Sequence, residues 1–471
     1  MGLFTSAIIF LVSTLFRLSA RNAGCFTPIA YRHKDFVLGL DLFMKRIESM
    51  KLGNSLALDK YLFDTYGKTV QTNFWGKKQY VTKDPLNIQT VCATYVDRFG
   101  SAPKNNAIGR PLLGDGIMTT DGAQWKRSRQ ILNPVFARAQ ISELSTFELH
   151  VGQMLSKIPI DSTIVDLQPL LKMLFLDSNT EFIFGKSANS LAPGTSSLFD
   201  RRLPEVFDEA LRGTRKRMIM GKLRFLSGGN KEYLAKCAEV EEPEGSPYNY
   251  VLLKALTRIT DDRKFIRNEL MNVFFPARDT SAILTGNIIF LLARHPNVWN
   301  TLREEVISIG NQKLTFELLK SMKYMHGVIS EGLRLLNPVS RSWKTCLEPC
   351  VLPHGGGSDG SEQILLQPGD EVDMVFSSMH VDPDIWGDDA GEFRPERWSG
   401  LKHSWNFIPF FGGRRIYPAQ QNVLTDVSYV LVRLLQQFVT CENFDQCMEY
   451  VEEFGFTKES RNEIKVALTR A

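Results

Sequence analysis

The fold of this chain is indicated first by a stretch near its C-terminus, residues 407–421, which reads FIPFFGGRRIYPAQQ. Its adjacent glycines, Gly412 and Gly413, permit backbone dihedrals that a Cβ atom would forbid, so the chain can turn close to a flat ligand. Arg415 follows them with a planar guanidinium group that can pair with a carboxylate through a bidentate contact. Taken alone, the stretch predicts either a ligand-binding turn or an ordinary surface loop.

Upstream of this stretch, Glu331 and Arg334 stand in the pattern E-x-x-R. On a helix, residues at this spacing share a face, so the carboxylate and the guanidinium group can form an ion pair. Many soluble helices carry such a pair on a solvated face, where it adds little stability. The pattern therefore predicts either a structural ion pair or a solvated one.

A third pattern, W-x-x-x-R, places Trp125 and Arg129 at helical spacing in the segment DGAQWKRSR. An indole N–H and a guanidinium group on the same helical face can both reach one hydrogen-bond acceptor. The alternative is a basic surface helix with one half-buried tryptophan.

The fourth pattern is PARDTS, residues 276–281, which opens a long apolar helical run that continues to Pro296. Pro276 removes a backbone donor and loosens a helix locally. Asp279 and Thr280 form an acid and alcohol pair that could relay protons. The competing interpretation is the cap of a helix.

In the order in which they occur along the chain, from Trp125 to Gln421, the four patterns resemble those of the cytochrome P450 family, and the resemblance covers nearly the whole sequence. The family's haem loop has the pattern F-x-x-G-x-R-x-C, which Phe410, Gly413 and Arg415 match here. Tyr417 stands where the family has the cysteine that binds the haem iron. The resemblance implies the cytochrome P450 fold, mainly α-helical with a small β region, in a single haem domain of residues 21–471.

The same resemblance implies haem b as the cofactor and gives roles to the other patterns. Trp125, Arg129 and Arg415 would bind the haem propionates. Asp279 and Thr280 would be the pair that delivers protons where oxygen chemistry takes place.

The segment FRPERW, residues 393–398, resembles the family segment whose arginine contacts the E-x-x-R pair. Glu331, Arg334 and Arg397 would then form a three-member ionic network under the haem. This network would have a structural role and no catalytic one.

Tyr417 leaves three interpretations open. The chain can be a monooxygenase that has lost its thiolate, either inactive or misread at one codon, because cysteine and tyrosine codons differ by a single base. Tyr417 can instead ligate iron as a phenolate, with Arg414 and Arg415 lowering its pKa, which would support peroxidase-like chemistry. Or the fold can serve as a non-catalytic lipid- or partner-binding protein.

Three segments most resemble the fungal branch of the family that hydroxylates alkanes and fatty acids: residues 113–117, 352–357 and 392–398. This resemblance implies a small apolar substrate, a fatty acid or an alkane, that is hydroxylated with dioxygen. The electrons would come from NADPH through the membrane-bound NADPH-cytochrome P450 reductase.

Composition agrees with a large globular protein. The chain has 471 residues, of which 43% are hydrophobic, and its 56 basic and 52 acidic residues give a net charge of +4. This balance shows no nucleic-acid-binding footprint. The seven cysteines have no zinc-site spacing and leave one unpaired in any complete disulfide scheme, which favours reduced, cytosol-facing thiols.

The N-terminus bears on location, because residues 3–16 are apolar and precede Arg17. This run is shorter than the roughly 20 residues of a spanning helix. We expect residues 1–20 to be a marginal anchor that holds the protein at the endoplasmic reticulum membrane, facing the cytosol. A cleaved secretory signal is the alternative, although no lysine or arginine precedes Leu3.

Three other segments carry predictions. Residues 212–224 combine basic and apolar side chains, which is typical of a helix on a lipid surface or of a solvated basic helix. Residues 241–247 (EEPEGSP) break the helical pattern, so we expect a shortened lid around residues 230–250. Residues 351–379, with Val372, Met374 and Phe376 alternating, predict the small β region.

Overall fold

The computed structural model describes residues 24–136, 144–192, 198–221, 252–401 and 404–470. The predicted anchor at residues 1–20, the end of the basic segment at residues 222–224 and the shortened region around residues 230–250 lie outside these ranges. The described chain forms two compact units. The first consists of the described residues within Met1–Lys104, Ser340–Ala390 and His403–Ile416, and the second of those within Asn105–Val339, Gly391–Lys402 and Tyr417–Ala471. One haem domain spanning residues 21–471 remains a prediction.

Helices account for most of the regular structure, as the sequence predicts. In chain order they are α1 (Leu40–Leu52), α2 (Ser55–Tyr66), α3 (Pro85–Gln89), α4 (Ala102–Leu113), α5 (Gly122–Val135), α6 (Ser145–Ser156), α7 (Leu167–Phe184), α8 (Leu198–Met220), α9 (Leu252–Thr257), α10 (Arg263–Arg294), α11 (Pro296–Ser308), α12 (Phe316–Ser321), α13 (Lys323–Leu335), α14 (Phe376–His380), α15 (Pro383–Trp386) and α16 (Gln420–Gln437).

The strands are short and belong to small sheets. They are β1 (Thr69–Phe74), β2 (Lys77–Thr82), β3 (Phe99–Gly100), β4 (Val165–Asp166), β5 (Arg341–Cys346), β6 (Cys350–Gly356), β7 (Glu362–Leu366), β8 (Glu371–Val375), β9 (Phe438–Asn443), β10 (Glu452–Phe454), β11 (Lys458–Ser460) and β12 (Lys465–Arg470). The largest sheet has the order β1-β2-β8-β5-β3. Within it, β2 and β8 run parallel and the other pairs are antiparallel.

The predicted β region contains three of these strands, β6, β7 and β8. Val372 and Met374 lie in β8, all of whose residues are buried, whereas Phe376 begins α14. The alternation therefore ends one residue earlier than the sequence pattern indicates, because the chain turns into a helix after Val375. The hairpin of β1 and β2 completes the sheet and was not predicted.

The first unit is built around this sheet. A cluster of buried side chains from β2, α3, β6, β7 and β8 covers one part of it, and it includes Tyr80, Ile88 and Met374. A second cluster joins α1 and α2 to the hairpin through Leu42 and Leu62. Burial of these apolar side chains is the main force that holds the unit together.

The second unit is organised by α10, which packs against α7, α13 and α16. Asp262 caps its N-terminus by accepting hydrogen bonds from the backbone N–H groups of Lys264 and Phe265. Between Ser281 and Ala293 every residue is buried, as expected for a helix at the centre of a bundle. The prediction that the helix opens at Pro276 is wrong, because it begins at Arg263 and continues through the proline.

Two further observations bear on the sequence predictions. None of the six cysteines in the described ranges forms a disulfide, in agreement with reduced thiols; Cys237 lies outside these ranges. Within the part of the chain that the structure describes, no helix has the length and apolar character needed to cross a bilayer.

Candidate functional site

The glycine turn of residues 407–421 belongs to the first unit up to Ile416. Gly413 has a φ of +65°, and a Cβ atom there would lie 2.1 Å from the carbonyl oxygen of Cys92. Both the backbone conformation and the close approach therefore require glycine. Gly412 has an ordinary φ of −136°, so its predicted need for a forbidden dihedral is wrong. Its Cβ would instead lie 2.4 Å from the indole ring of Trp405.

The two arginines of the turn have different environments. Arg414 is solvent-exposed, and its Nη1 lies 3.0 Å from Oδ2 of Asp97. Arg415 is half-buried. Of the two, Arg415 is the one with the burial expected for a residue that holds a ligand.

Tyr417 follows the turn and precedes α16, and it is half-buried. Burial raises the pKa of its phenol above the ordinary value of 10.0. The expectation that neighbouring arginines lower this pKa is wrong, because desolvation is the cause of the shift and Arg414 pairs with Asp97. The phenol therefore stays protonated at neutral pH in this structure.

Helix α5 carries Trp125 and Arg129, which are both half-buried. Desolvation lowers the pKa of the Arg129 guanidinium from its ordinary value. A partly desolvated cation is stabilised by an anionic ligand, so this position suits a carboxylate such as a propionate. The buried stripe of the same helix consists of Ser128, Leu132 and Val135.

Ser128 is the polar member of that stripe, and it connects α5 to α10. Its Oγ donates a hydrogen bond of 2.5 Å to Oε1 of Glu269, whose side chain is fully buried. The backbone N–H of Ile117 donates to the same carboxyl group. Burial is the largest cause of the shift that raises the pKa of Glu269 to about 7.

The neighbouring turn of α10 holds the loop between α4 and α5. The amide of Asn272 accepts a hydrogen bond of 2.9 Å from the N–H of Met118 and donates one of 3.0 Å to the carbonyl of Leu113. Cβ atoms on Gly114 or Gly116 would clash with the side chains of Asn268 and Asn272. Sequence reasoning missed these asparagines, although two polar residues at i, i+4 in an apolar helix are a usable signal.

Asp279 and Thr280 lie in the middle of α10, which excludes the alternative that they form a helix cap. The hydroxyl of Thr280 donates a hydrogen bond of 2.7 Å to the carbonyl of Pro276. The side chain of Asn179 on α7 donates one of 3.1 Å to the carbonyl of Ala277. Helix carbonyls beside the proline thus accept bonds from side chains, a local loosening of the kind expected from Pro276.

The carboxylate of Asp279 is not isolated. The Nε atom of Arg278 lies 3.6 Å from Oδ1 of Asp279. Arg278 is buried, whereas the side chain of Asp279 is one-quarter exposed at 24%. This arrangement gives Asp279 a neighbouring cation and some access to water, which suits a group that exchanges protons.

Glu331 is the centre of the ionic network on α13. Arg334 donates to both of its carboxylate oxygens, at 2.9 and 2.8 Å, and the side chains of both residues are fully buried. Nε of Arg397 lies 3.4 Å from Oε1. Two donors were missed by sequence reasoning, the indole N–H of Trp398 at 2.9 Å and the backbone N–H of Arg394 at 3.1 Å.

The structure therefore brings Glu331, Arg334 and Arg397 together in one network. It also ties the helix of Trp125 and Arg129 to the helix of Asp279 and Thr280 through Ser128 and Glu269. These residues and Tyr417 belong to the second unit, and Arg415 belongs to the first.

Comparison with known proteins identifies the family of the chain. The cytochrome P450 family model matches residues 42–464. The chain belongs to the cytochrome P450 family. It is 35% identical to the cytochrome P450 monooxygenase himC of Aspergillus japonicus, over 96% of this chain and 85% of the relative. It is 34% identical to the cytochrome P450 monooxygenase iccC of Talaromyces variabilis, over 94% of this chain and 92% of the relative.

A third relative, the cytochrome P450 monooxygenase apdE of Emericella nidulans, is 32% identical over 90% of this chain and 85% of its own length. Family and relatives make the chain an enzyme of the cytochrome P450 monooxygenase type, a haem-dependent oxidoreductase. Its mainly α-helical fold with small sheets is the one that the sequence predicts.

The residues fit one part of a haem and not another. Each unit, taken by itself, has an arginine that suits a propionate: the desolvated Arg129 in the second and the half-buried Arg415 in the first. At position 417, where the family's haem loop has its cysteine, this chain has a phenol with a raised pKa in place of a thiol. Cys92 packs against the turn, but its Sγ lies 3.6 Å from Sδ of Met374 in the core, and burial raises its pKa to about 11. It is therefore not a substitute thiolate.

Proposed function

We propose that this chain is a cytochrome P450 that retains haem and in which Tyr417 impairs monooxygenation. The observation that carries the proposal is the phenol at position 417, where the family's haem loop has a cysteine. A neutral phenol is a poor donor to a metal ion, because a ligand must be deprotonated to bind well. In this family haem supplies dioxygen activation, and a thiolate ligand promotes the O–O cleavage on which that activation depends.

We propose that the other residues of the site keep the roles that the family resemblance implies. Trp125, Arg129 and Arg415 hold the propionates through N–H donors. Asp279 and Thr280 hold and transfer protons, with Thr280 anchored on the carbonyl of Pro276. Glu331, Arg334 and Arg397 keep the surrounding chain in place.

The proposal also includes the substrate, the source of electrons and the location of the protein. The substrate is a small apolar molecule, a fatty acid or an alkane, as the resemblance to that fungal branch implies. The electrons come from NADPH through NADPH-cytochrome P450 reductase. The apolar run of residues 3–16 supports attachment to the endoplasmic reticulum membrane on its cytosolic side.

A phenolate-ligated haem with peroxidase-like chemistry is the alternative. One observation counts against it. Gly413 is packed against the carbonyl of Cys92, so the turn has little room to retreat and accommodate a longer ligand.

The test is a set of three proteins: the natural chain, Tyr417→Phe and Tyr417→Cys. The codon for residue 417 is sequenced first. We expect the natural chain and Tyr417→Phe to bind haem with the same absorption spectrum, because the hydroxyl is not a ligand. We expect Tyr417→Cys alone to give the thiolate signature in the reduced carbonyl complex and to hydroxylate an apolar substrate with the reductase.

Other results would favour the alternatives. A spectrum that changes between the natural chain and Tyr417→Phe indicates a phenolate ligand. Absence of haem absorption in all three proteins indicates the non-catalytic lipid- or partner-binding protein. Haem binding by Tyr417→Cys without turnover places the defect elsewhere, for example in the lid predicted to be short.

A further inference from the structure

The second unit contains a cavity that the proposed function does not use. Its volume is about 710 Å³, within the range of about 300–1,000 Å³ that is typical of sites for small molecules. It lies between the first turn of α6, the end of α11 with the loop that follows it, and the second half of α16. All of its lining residues belong to the second unit, and none of them has a proposed role toward haem or proton delivery.

The lining of the cavity favours a polar ligand. Three of its apolar side chains are already buried in the packed protein, and these are Leu144, Val306 and Leu314. Burial of apolar surface therefore offers a ligand little free energy. Side-chain amides, which can both donate and accept hydrogen bonds, line the cavity at Asn311, Gln312 and Gln436.

A fixed ion pair stands on one side of the cavity, where Glu148 on α6 is held by two residues of α16. The hydroxyl of Tyr429 donates to Oε2 of Glu148, and Nη2 of Arg433 donates to Oε1. Nη1 of Arg433 also donates a hydrogen bond of 3.0 Å to Oε1 of Gln436. Desolvation, together with the bond to Glu148, raises the pKa of Tyr429, so its hydroxyl stays protonated. The guanidinium group is therefore positioned before any ligand arrives, which lowers the entropy cost of binding.

The charges that line the cavity do not cancel. Glu148 offsets Arg433, and both side chains remain about one-third exposed, at 33% and 36%. Lys313 is exposed and forms no hydrogen bond or ion pair with any residue that the structure describes. Nε of Arg433 is buried and likewise has no acceptor among those residues. An excess positive charge and an unsatisfied donor both favour an anion with strong acceptor oxygens.

We propose that this cavity binds a small hydrophilic carboxylate. The carboxylate group lies between Lys313 and Arg433, and the other polar groups of the ligand bond to the side-chain amides. A single negative charge matches the single excess positive charge of the lining. A long-chain lipid would find too little apolar surface there. Because neither haem nor Tyr417 takes part, this inference is independent of the proposed function.

The experiment measures the binding of lactate to the full chain by ligand-detected NMR, with lactamide as an uncharged molecule of nearly the same shape. Lys313→Gln removes the excess charge. Lys323→Gln is the matched control, because Lys323 is also exposed and does not line the cavity. Asn311→Trp, at an exposed position of the lining, narrows the cavity without changing its charge.

We expect lactate to bind with a Kd in the millimolar range and lactamide to bind more weakly by about tenfold or more. Lys313→Gln should weaken lactate binding by about fivefold, which corresponds to the loss of one exposed ion pair. Lys323→Gln should leave the Kd unchanged. Asn311→Trp should weaken binding because it takes up space that the ligand needs.

Four outcomes would overturn the inference. Equal binding of lactate and lactamide would show that the cavity does not select an anion. Equal weakening by Lys313→Gln and Lys323→Gln would assign the effect to the net charge of the protein. Lactate binding that neither Lys313→Gln nor Asn311→Trp weakens would place the ligand elsewhere on the molecule. Absence of lactate binding to the natural chain in the millimolar range would remove the site altogether.

Discussion

The hydroxyl of Ser128 on α5 donates a hydrogen bond of 2.5 Å to the buried carboxyl group of Glu269 on α10. The helix of the proposed propionate ligands is thereby fixed to the helix of the proposed proton-delivery pair. The second carboxyl oxygen of Glu269 is buried and has no partner among the described residues. A neutral acid tolerates that position better than a carboxylate, which explains why the pKa is raised to about 7.

This pKa predicts a pH dependence of stability. The ordinary value is 4.5, so between about pH 4.5 and pH 7 the folded state binds more protons at Glu269 than the unfolded state does. The free energy of unfolding should therefore decrease as the pH rises through this window, by about 3 kcal/mol in total. Glu269→Gln should remove that decrease. Urea unfolding at several pH values between 4.5 and 8 measures it.

The matched control is Ser128→Ala, which deletes the hydrogen bond and keeps the titrating group. It should lower stability by about 1–3 kcal/mol and preserve the direction of the pH dependence. An identical pH profile for the natural protein and Glu269→Gln would assign the titration to other groups.

Arg334→Ala should be strongly destabilising. It removes two hydrogen bonds to Glu331 and leaves that carboxylate fully buried. We therefore expect the free energy of unfolding to fall by about 3–5 kcal/mol. Arg461→Ala is the control, because Arg461 forms an exposed ion pair with Glu453. We expect this variant to lower the free energy of unfolding by about 1 kcal/mol or less. Equal midpoints of urea denaturation for the two variants would contradict the central role of Glu331.

Trp398→Phe tests the donor that sequence reasoning missed. It keeps an aromatic ring and deletes the N–H that donates to Glu331 at 2.9 Å. We expect a loss of about 1–3 kcal/mol, as for a hydrogen bond to a buried charged group. Unchanged stability would mean that the remaining donors satisfy the carboxylate alone.

The full set of hydrogen-bond donors to Glu331 could not be predicted from the sequence. Spacing predicts that Glu331 and Arg334 share a helical face, and family resemblance adds Arg397. Neither shows that Trp398 and the backbone of Arg394 point at the same carboxylate, because those contacts depend on how residues 393–398 fold back on α13. Helices were predictable from apolar patterns, whereas the β1 and β2 hairpin, paired with distant β8, was not.

The reason for each glycine in the turn of residues 407–421 was also only partly predictable from the sequence. Sequence reasoning explained both glycines by their dihedrals, yet Gly412 is glycine because of the Trp405 ring, which lies seven positions upstream in the chain. Contacts that form only in three dimensions leave no local signal. The pKa of Tyr417 is a second case, since charge in the neighbouring sequence suggested one direction and burial produced the other.

Gly413→Ala should test the packing of the turn. The change forces a Cβ atom to within 2.1 Å of Cys92 O at a φ of +65°, so we expect both a backbone cost and a steric cost. Gly122→Ala separates the two, because Gly122 has a φ of +60° with open space around it. We expect Gly122→Ala to lower the free energy of unfolding by about 1 kcal/mol and Gly413→Ala to lower it clearly more. Thermal unfolding of the two variants measures the difference.

Haem retention should distinguish the proposed propionate ligands from the proposed proton-delivery pair. Arg129→Ala and Arg415→Ala should speed the transfer of haem to an acceptor protein by about tenfold, since each removes a charge-assisted hydrogen bond. Thr280→Ala should leave the rate unchanged, because its hydroxyl bonds to the carbonyl of Pro276. Equal rates of haem transfer in the three variants would contradict the proposal that Arg129 and Arg415 bind the propionates.

The network around Glu331 has a consequence for how such a chain can persist. Within the described residues, the donors to that carboxylate are Arg334, Arg394, Arg397 and Trp398, so this network does not depend on the side chain at position 417. A change at position 417 therefore leaves these hydrogen bonds in place, and selection against misfolding would not act on such a change through this network.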